Sequence, residues 1–335
     1  METSSLFKTI CKIMKMKLIQ QLRSEKRFFF ESLNYWKKLR KFNASSHTTD
    51  DIEKMQYTLL RLVHTIEKGM SMRNPRKGFG QKKVMKIISS LNHYCDLYLD
   101  VDSLFLKYPL ITIGKYIEYT QSKGVDIAHI ENVYNRLRER CLLKIEDGCG
   151  GIQHVCAKDI IAAAKGNFRE LLYSRHSIRY FEGEPSKAMI EEALEMAQRT
   201  PSACNRQGWK THVYMGDESV KLLKWQGGCR GFEDEIKCAI LVTANLKAFF
   251  DYEVHQAYID GGLYAMNLIN SLHFQGLGTI PLSVGFSCTK LKQLVLFGVP
   301  ENEVPIVIIG TGKLPSDFNV AVSERKKINI TNTFH

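Results

Sequence analysis

The sequence predicts an α+β protein built in two parts: an all-helical region over residues 1–165 and a mixed domain of helices and strands over residues 166–335. Three observations carry this reading. Helical periodicity runs through the first half with almost no strand signal before residue 205. Strand-like runs then stand at Thr211–Met215, Cys238–Ala244, Gly278–Val284 and Val304–Gly310. Helical patterns at Lys187–Arg199, Val254–Phe274 and Lys290–Phe297 precede and separate them with unequal spacing, as in a layered α+β structure.

From the N-terminus, residues 5–42 read as one or two basic helices. Leu6, Ile10, Met14 and Leu18 recur every four residues, with Lys8, Lys12, Lys15 and Arg23 between or just beyond them. Two readings stay open here: a helix resting on an anionic membrane surface, giving a weak contact, or a helix packed on the body with its basic face in water. Asn43–Asp51 is a polar linker in which Asp50 or Asp51 caps the next helix. That helix runs through Tyr57, Leu60, Val63 and Ile66 and stops at Gly69. Helical pattern continues near 82–107, 109–123 and 126–145; Gly148, Gly150 and Gly151 break it, and a helix is expected from about Ala157 to Leu172.

Composition excludes several classes. No apolar run approaches the roughly 18–20 residues that span a bilayer, and no signal peptide is legible, so a cytoplasmic location is expected. Nine scattered cysteines in a chain of this size suggest reduced thiols, and Cys149, His154 and Cys156 lack the second half of a zinc motif, so no metal is expected. Residues 1–41 hold eleven Lys and Arg against Glu2, Glu25 and Glu31, which is eight of the net twelve positive charges. With the excess in one terminal segment and no stacking platform beside it, no nucleic-acid partner is expected.

Five segments carry chemistry. Arg175-His176-Ser177-Ile178-Arg179-Tyr180-Phe181 sets two guanidinium groups and a hydroxyl close together, and guanidinium forks match phosphate oxygens. Pro201-Ser202-Ala203-Cys204-Asn205-Arg206-Gln207-Gly208-Trp209 supplies short neutral donors and acceptors suited to a uracil-like edge or a ribityl chain. Trp225-Gln226-Gly227-Gly228-Cys229-Arg230-Gly231-Phe232 is a glycine-rich loop that is neither a Walker nor a Rossmann motif. Asp260–Ile269 is an apolar helix with small residues at Gly261, Gly262 and Ala265 that permit close helix contact, followed by Gly276–Ser283. Ile309–Pro315 gives a strand and a turn, and Ser323-Glu324-Arg325-Lys326-Lys327 a basic C-terminal segment.

In this order the five segments resemble the FMN-dependent nitroreductase family over about residues 170–328. The helical first half, with His64-Thr65-Ile66-Glu67-Lys68-Gly69-Met70-Ser71-Met72, looks like the extension of a subgroup found near bacterial surface-polysaccharide genes. The resemblance implies a nitroreductase-like fold, an antiparallel-rich sheet flanked by helices, and a homodimer with FMN between the subunits. It implies that Arg175, Ser177 and Arg325 hold the flavin phosphate and its surroundings, and that Arg179 is a cation near the pyrimidine end, where negative charge develops on reduction. Pro201, Ser202, Ala203, Asn205 and Gln207 match the loop that reaches the flavin from the partner. Pro281, Leu282 and Ser283 match the segment beside the ring, and Gln226 and Gly227 a polar contact to it. The implied reaction is ping-pong: NADH or NADPH delivers hydride to the flavin and a small organic acceptor takes the electrons, with no catalytic side chain required. Dehydrogenation of a biosynthetic intermediate and a non-catalytic FMN-binding module in polysaccharide synthesis are the alternatives.

The sequence departs from the family in two places. Only Asn245–Ile259 fills the gap that often holds a helical excursion, and two readings stay open: the N-terminal region supplies the missing lid, with the loop after Gly69 closest to the flavin, or it is a regulatory or oligomerisation domain. Ser323 also stands where many relatives carry another basic residue.

Overall fold

Three hydrophobic clusters organise the described residues, one in a helical unit and one on each face of a sheet in a second unit, and a buried carboxylate joins the two units. The computed structural model describes residues 2–42, 51–98, 104–141 and 149–335. The helical unit comprises α1 (Glu2–Phe42), α2 (Ile52–Met70), α3 (Gln81–Tyr98), α4 (Leu104–Ser122) and α5 (Ala128–Cys141). Asp51 caps α2 by accepting the Lys54 N–H at 3.1 Å; Asn43–Asp50 lies outside the described residues. Leu59, Val63 and Ile66 of α2, Ile87 and Leu91 of α3, Leu110 and Ile113 of α4 and Ile130 of α5 are buried together in the first core. Within it the thiols of Cys95 and Cys141 approach to 3.2 Å, linking α3 to α5. Residues 5–42 form one helix, not two, whose side chains at Ile13, Met14, Leu18, Leu22 and Phe29 are exposed. It is anchored at its middle by Ser24 and Arg27, both on Asp251. No helix among the described residues is long and apolar enough to cross a membrane.

The second unit comprises β1 (Ile152–Cys156), α6 (Ala157–Ala164), α7 (Phe168–Ser174), α8 (Lys187–Ala197), β2 (Trp209–Met215), α9 (Gly216–Gln226), β3 (Cys238–Asn245), α10 (Gln256–Phe274), β4 (Leu277–Ser283), α11 (Cys288–Leu291), β5 (Glu303–Lys313), β6 (Asp317–Ala321) and α12 (Ile328–Thr331). The four expected strands form one antiparallel sheet in the order β2-β3-β5-β4. Central β3 is buried along almost its whole length, and helices cover both faces of the sheet. Tyr264 and Leu268 of α10 and Ala193 of α8 pack on one face; Leu222 and Leu223 of α9 pack on the other.

Two strands escape the sequence reading. β1 lies in the stretch expected to have no strand, and β6 was also missed; they pair antiparallel from Ile152↔Ala321 to Cys156↔Asp317. Each has only five residues, and its partner is far away in sequence, so neither carries a legible period. The helix expected over 157–172 is broken by Gly166, after which Asn167 and Glu170 form a reciprocal capping box that starts α7. Ala157 and Ile160 of α6 pack into the second core, although the expected boundary at 165/166 puts them in the first region.

Candidate functional site: a buried cluster of unpaired cations

The last turns of α2, the segment after α7 and the segment after β6 meet at the β4 edge of the sheet. The chain leaving α7 runs beside β4: Ser177 bridges Thr279, and the Ile178 N–H donates to the Thr279 carbonyl at 2.9 Å. This places Arg179 under the C-terminal end of α2. Its guanidinium donates to Ser71 Oγ at 3.3 Å and to the Ser177 carbonyl at 3.4 Å, and contacts His64 Nε2 at 3.4 Å. Arg179 is 4% exposed, and its Nε is buried without a partner, as is the hydroxyl of Thr279.

Glu67 holds the two units in register. Fully buried, it accepts from the Tyr108 hydroxyl at 2.7 Å and from the N–H groups of Gly151 at 2.8 Å and Ser323 at 3.2 Å, with Thr112 Oγ1 at 3.5 Å. Burial raises its pKa while these donors oppose the shift. Ser323, the departure from the family pattern, adopts a positive φ of 49° and contributes its backbone N–H here. Its carbonyl accepts from Arg325 at 3.0 Å, so the Glu67 anchor and the placement of Arg325 are one structure.

Around this anchor the cations repel each other. Burial lowers the pKa of Arg175, and the charge of Arg325 adds to the effect. Burial, then Arg175 and Arg325, lowers His176. Burial, then Arg179, Lys68 and Arg325, lowers His64. Burial, then Arg175 and His176, takes His273 down to about 4. Burial takes Arg179 to about 10, with Glu67 and Cys229 pulling the other way. Among the described residues no carboxylate lies within 4 Å of Arg175, Arg179 or Arg325. Removing a charged group from water without a close counter-charge is costly, and that cost falls on buried Arg179, while Arg175 is half-buried and Arg325 exposed.

The sequence-predicted residues fall into two sets. Arg175, Ser177, Arg179 and Arg325 gather at the β4 edge, and Pro281, Leu282 and Ser283 continue along that strand. Gln226 joins them, but its amide is consumed internally: Oε1 accepts the Gly228 N–H at 2.5 Å and Nε2 donates to the Ser283 carbonyl at 2.9 Å. Gly227 ends α9 at φ 80°. The glycine-rich loop then docks on α2, where Lys68 Nζ donates to the Gly228 carbonyl and Met72 packs against Gly231. The loop after Gly69 also touches this segment: Ser71 contacts Arg179, and Arg73 lies 4.2 Å above the Tyr180 ring.

Pro201, Ser202, Ala203, Asn205 and Gln207 lie instead beside β2, three strand spacings away, or about 14 Å. Cys204, Asn205 and Gln207 all have positive φ, a strained run that Ser202 Oγ holds by accepting the Gln207 N–H at 2.9 Å. Asp260 of α10 secures the loop through the Ala203 N–H at 3.1 Å. Within one chain the two sets do not meet. Sequence reasoning missed His176, His273 and Thr279; isolated histidines and a strand threonine give no spacing signal, and only the fold brings them to the arginines.

The fold and site define an α+β domain with a cluster of cationic side chains at a sheet edge. Residues 172–245 match the sequence model of the nitroreductase family. The chain is also similar to several solved structures. A protein described as a nitroreductase, from Exiguobacterium sibiricum and in complex with FMN, is 20% identical over 51% of this chain and 98% of its own, with a TM-score of 0.44. A protein described as an NAD(P)H:FMN oxidoreductase, from Staphylococcus epidermidis, is 20% identical over 51% and 96%, with a TM-score of 0.45. An FMN-dependent nitroreductase from Clostridium difficile is 22% identical over 43% and 85%, with a TM-score of 0.38.

Proposed function

We propose that this protein is an FMN-dependent oxidoreductase that uses NADH or NADPH to reduce a small organic acceptor at the interface of a homodimer. The observation that carries the reading is the gathering of half-buried Arg175, buried Arg179 and exposed Arg325, with no carboxylate within 4 Å among the described residues, beside a strand whose Thr279 hydroxyl lacks a partner, as does Arg179 Nε. These groups fit FMN. Arg175 and Arg325, with Ser177, would hold its phosphate, and Arg179 would face the pyrimidine end, where its charge favours the reduced form. FMN itself supplies the hydride chemistry, accepting from a nicotinamide and donating to the acceptor in turn.

The chain's own residues bind, orient and exclude water. Glu67 fixes the two units so that α2 closes over Arg179, and the docked glycine-rich loop seals the side nearest Lys68. Dimer formation is supported by α10, whose face bearing Tyr258, Ile259, Leu263 and Met266 is exposed, with open space at Gly262. The strained Pro201–Gln207 loop projects beside that helix and in a dimer would complete the partner's pocket. The test is an absorbance spectrum of purified protein with and without NADH or NADPH under anaerobic conditions. A yellow protein bleached by either nucleotide supports the proposal; a preparation that takes up no FMN when offered it rejects it.

A further inference from the structure

A basic surface leads away from the cation cluster across the helical unit. From Lys68 to Cys95 the chain carries Lys68, Arg73, Arg76, Lys77, Lys82, Lys83 and Lys86 and no carboxylate. Residues 73–79 on one side and Tyr119, Thr120 and Lys123 on the other enclose an open groove of about 190 Å³. Phe79 and Tyr119, edge to face at 6.4 Å, supply its aromatic wall. Among the described residues no carboxylate lies within 4 Å of Arg76, Lys77 or Lys123.

Part of this charge is unfavourable to the fold. Lys82 and Lys83 occupy the first turn of α3, which has no acidic residue, and cations there oppose the helix dipole. The groove is also joined to the site. Arg73, on its rim and within reach of the Glu235 charge, covers Tyr180, the neighbour of Arg179. The field of Lys83 reaches Lys68, which in turn lies in the field of Arg179. Arg73 and Lys83 thus connect the groove to the cations of the candidate flavin site, with Glu182 and Glu235 as the carboxylates beside Tyr180.

We propose that this groove binds the phosphate groups of a reactant, a phosphate or diphosphate ester whose redox-active end lies at Arg179; the second clause rests on the function proposed above. Two reactants have this chemistry: the nicotinamide nucleotide and a phosphorylated acceptor. Arg76 and Lys77 on a turn set by Gly78, with Lys123 facing them from the turn after α4, its ammonium 5.6 Å from the Tyr119 ring, suit phosphate oxygens, and the Phe79–Tyr119 wall suits an attached ring.

The test titrates inorganic pyrophosphate calorimetrically into FMN-loaded protein, so that the arginine cluster is already filled, after flavin content has been checked by absorbance. The parent is expected to bind at one site, R76A/K77A at least tenfold more weakly, the charge-preserving R76K/K77R close to the parent, and the control K187A/K221A unchanged. A parent that binds no pyrophosphate, or an R76A/K77A variant that binds it as well as the parent, overturns the proposal. The source follows from a second arm. If R76A/K77A raises KM for NADPH or NADH and pyrophosphate competes with that nucleotide, the groove serves the reductant. If those constants stay put while pyrophosphate binding falls, it serves the acceptor. Protein that takes up no FMN sinks the flavin reading alone, since the difference between parent and R76A/K77A still reports on the groove.

Discussion

The two edges of the four-stranded sheet treat arginine in opposite ways. At the β2 edge Arg206 is fully partnered: it forks onto Glu253 at 2.6 and 2.7 Å, donates to the Ala248 carbonyl, and holds the Glu253 carboxyl down at about 2. At the β4 edge Arg175, Arg179 and Arg325 have no carboxylate partner and depress each other or nearby histidines. The first arrangement is scaffold, satisfied by the chain itself. The second leaves its charge for something the chain does not contain. Arginine in a loop motif therefore says little until its partners are known.

Four experiments bear on this contrast. The largest effect is expected at the anchor of the β4 edge. Glu67→Gln replaces an acceptor-only carboxylate by an amide that cannot serve both backbone N–H groups and both hydroxyls. It should cost about 2–4 kcal/mol in urea unfolding and release Arg325 with the Ser323 segment. A loss no greater than at an exposed site would deny Glu67 this role. Next, Arg175→Met and Arg325→Met should each weaken FMN binding by about 10- to 100-fold, the worth of a charge-assisted hydrogen bond. Because each removes a repelling charge, flavin-free protein should melt no lower than the parent, whereas Arg206→Met should lower the melting temperature and leave the phosphate contacts intact. Equal effects at both edges would erase the distinction.

Third, Ile259→Glu combined with Leu263→Glu should convert a sedimenting dimer to monomer and release FMN together with it. A monomeric variant that keeps its flavin would show that one chain completes the pocket. The smallest effect is in pH dependence. His273 is depressed to about 4 from an ordinary 6.5, so the unfolded chain binds its proton first as pH falls. Its contribution is complete well above pH 6.5 and shrinks as acidity rises, by about 0.7 kcal/mol between pH 7 and pH 6. His273→Gln should flatten that slope; an unchanged slope would assign it to other groups.

Much of this was legible before the fold was known. The four sheet strands are apolar runs bounded by turn residues, and the spacing of Arg175, Ser177 and Arg179 marked side chains that the fold gathers at the β4 edge. What was not legible depends on distance in sequence. β1 and β6 are strands only because they find each other across 160 residues. Glu67 reads as an ordinary helix residue until Gly151 and Ser323 arrive to donate to it. Gln226 looked like a ligand contact because its role as a tie between the glycine loop and β4 rests on pairing with Ser283. Backbone strain at Cys204, Asn205 and Gln207 also has no signature in residue type, since none is glycine.

The central claim is that Arg175 and Arg325 converge on one phosphate, and comparing FMN with riboflavin tests it most directly. Equilibrium titrations of the flavin-free parent should show FMN bound at least a hundredfold more tightly than riboflavin. Arg175→Ala and Arg325→Ala should each shrink that preference, with riboflavin affinity nearly unchanged. A parent that binds the two flavins equally, or variants that lose riboflavin as much as FMN, would contradict it.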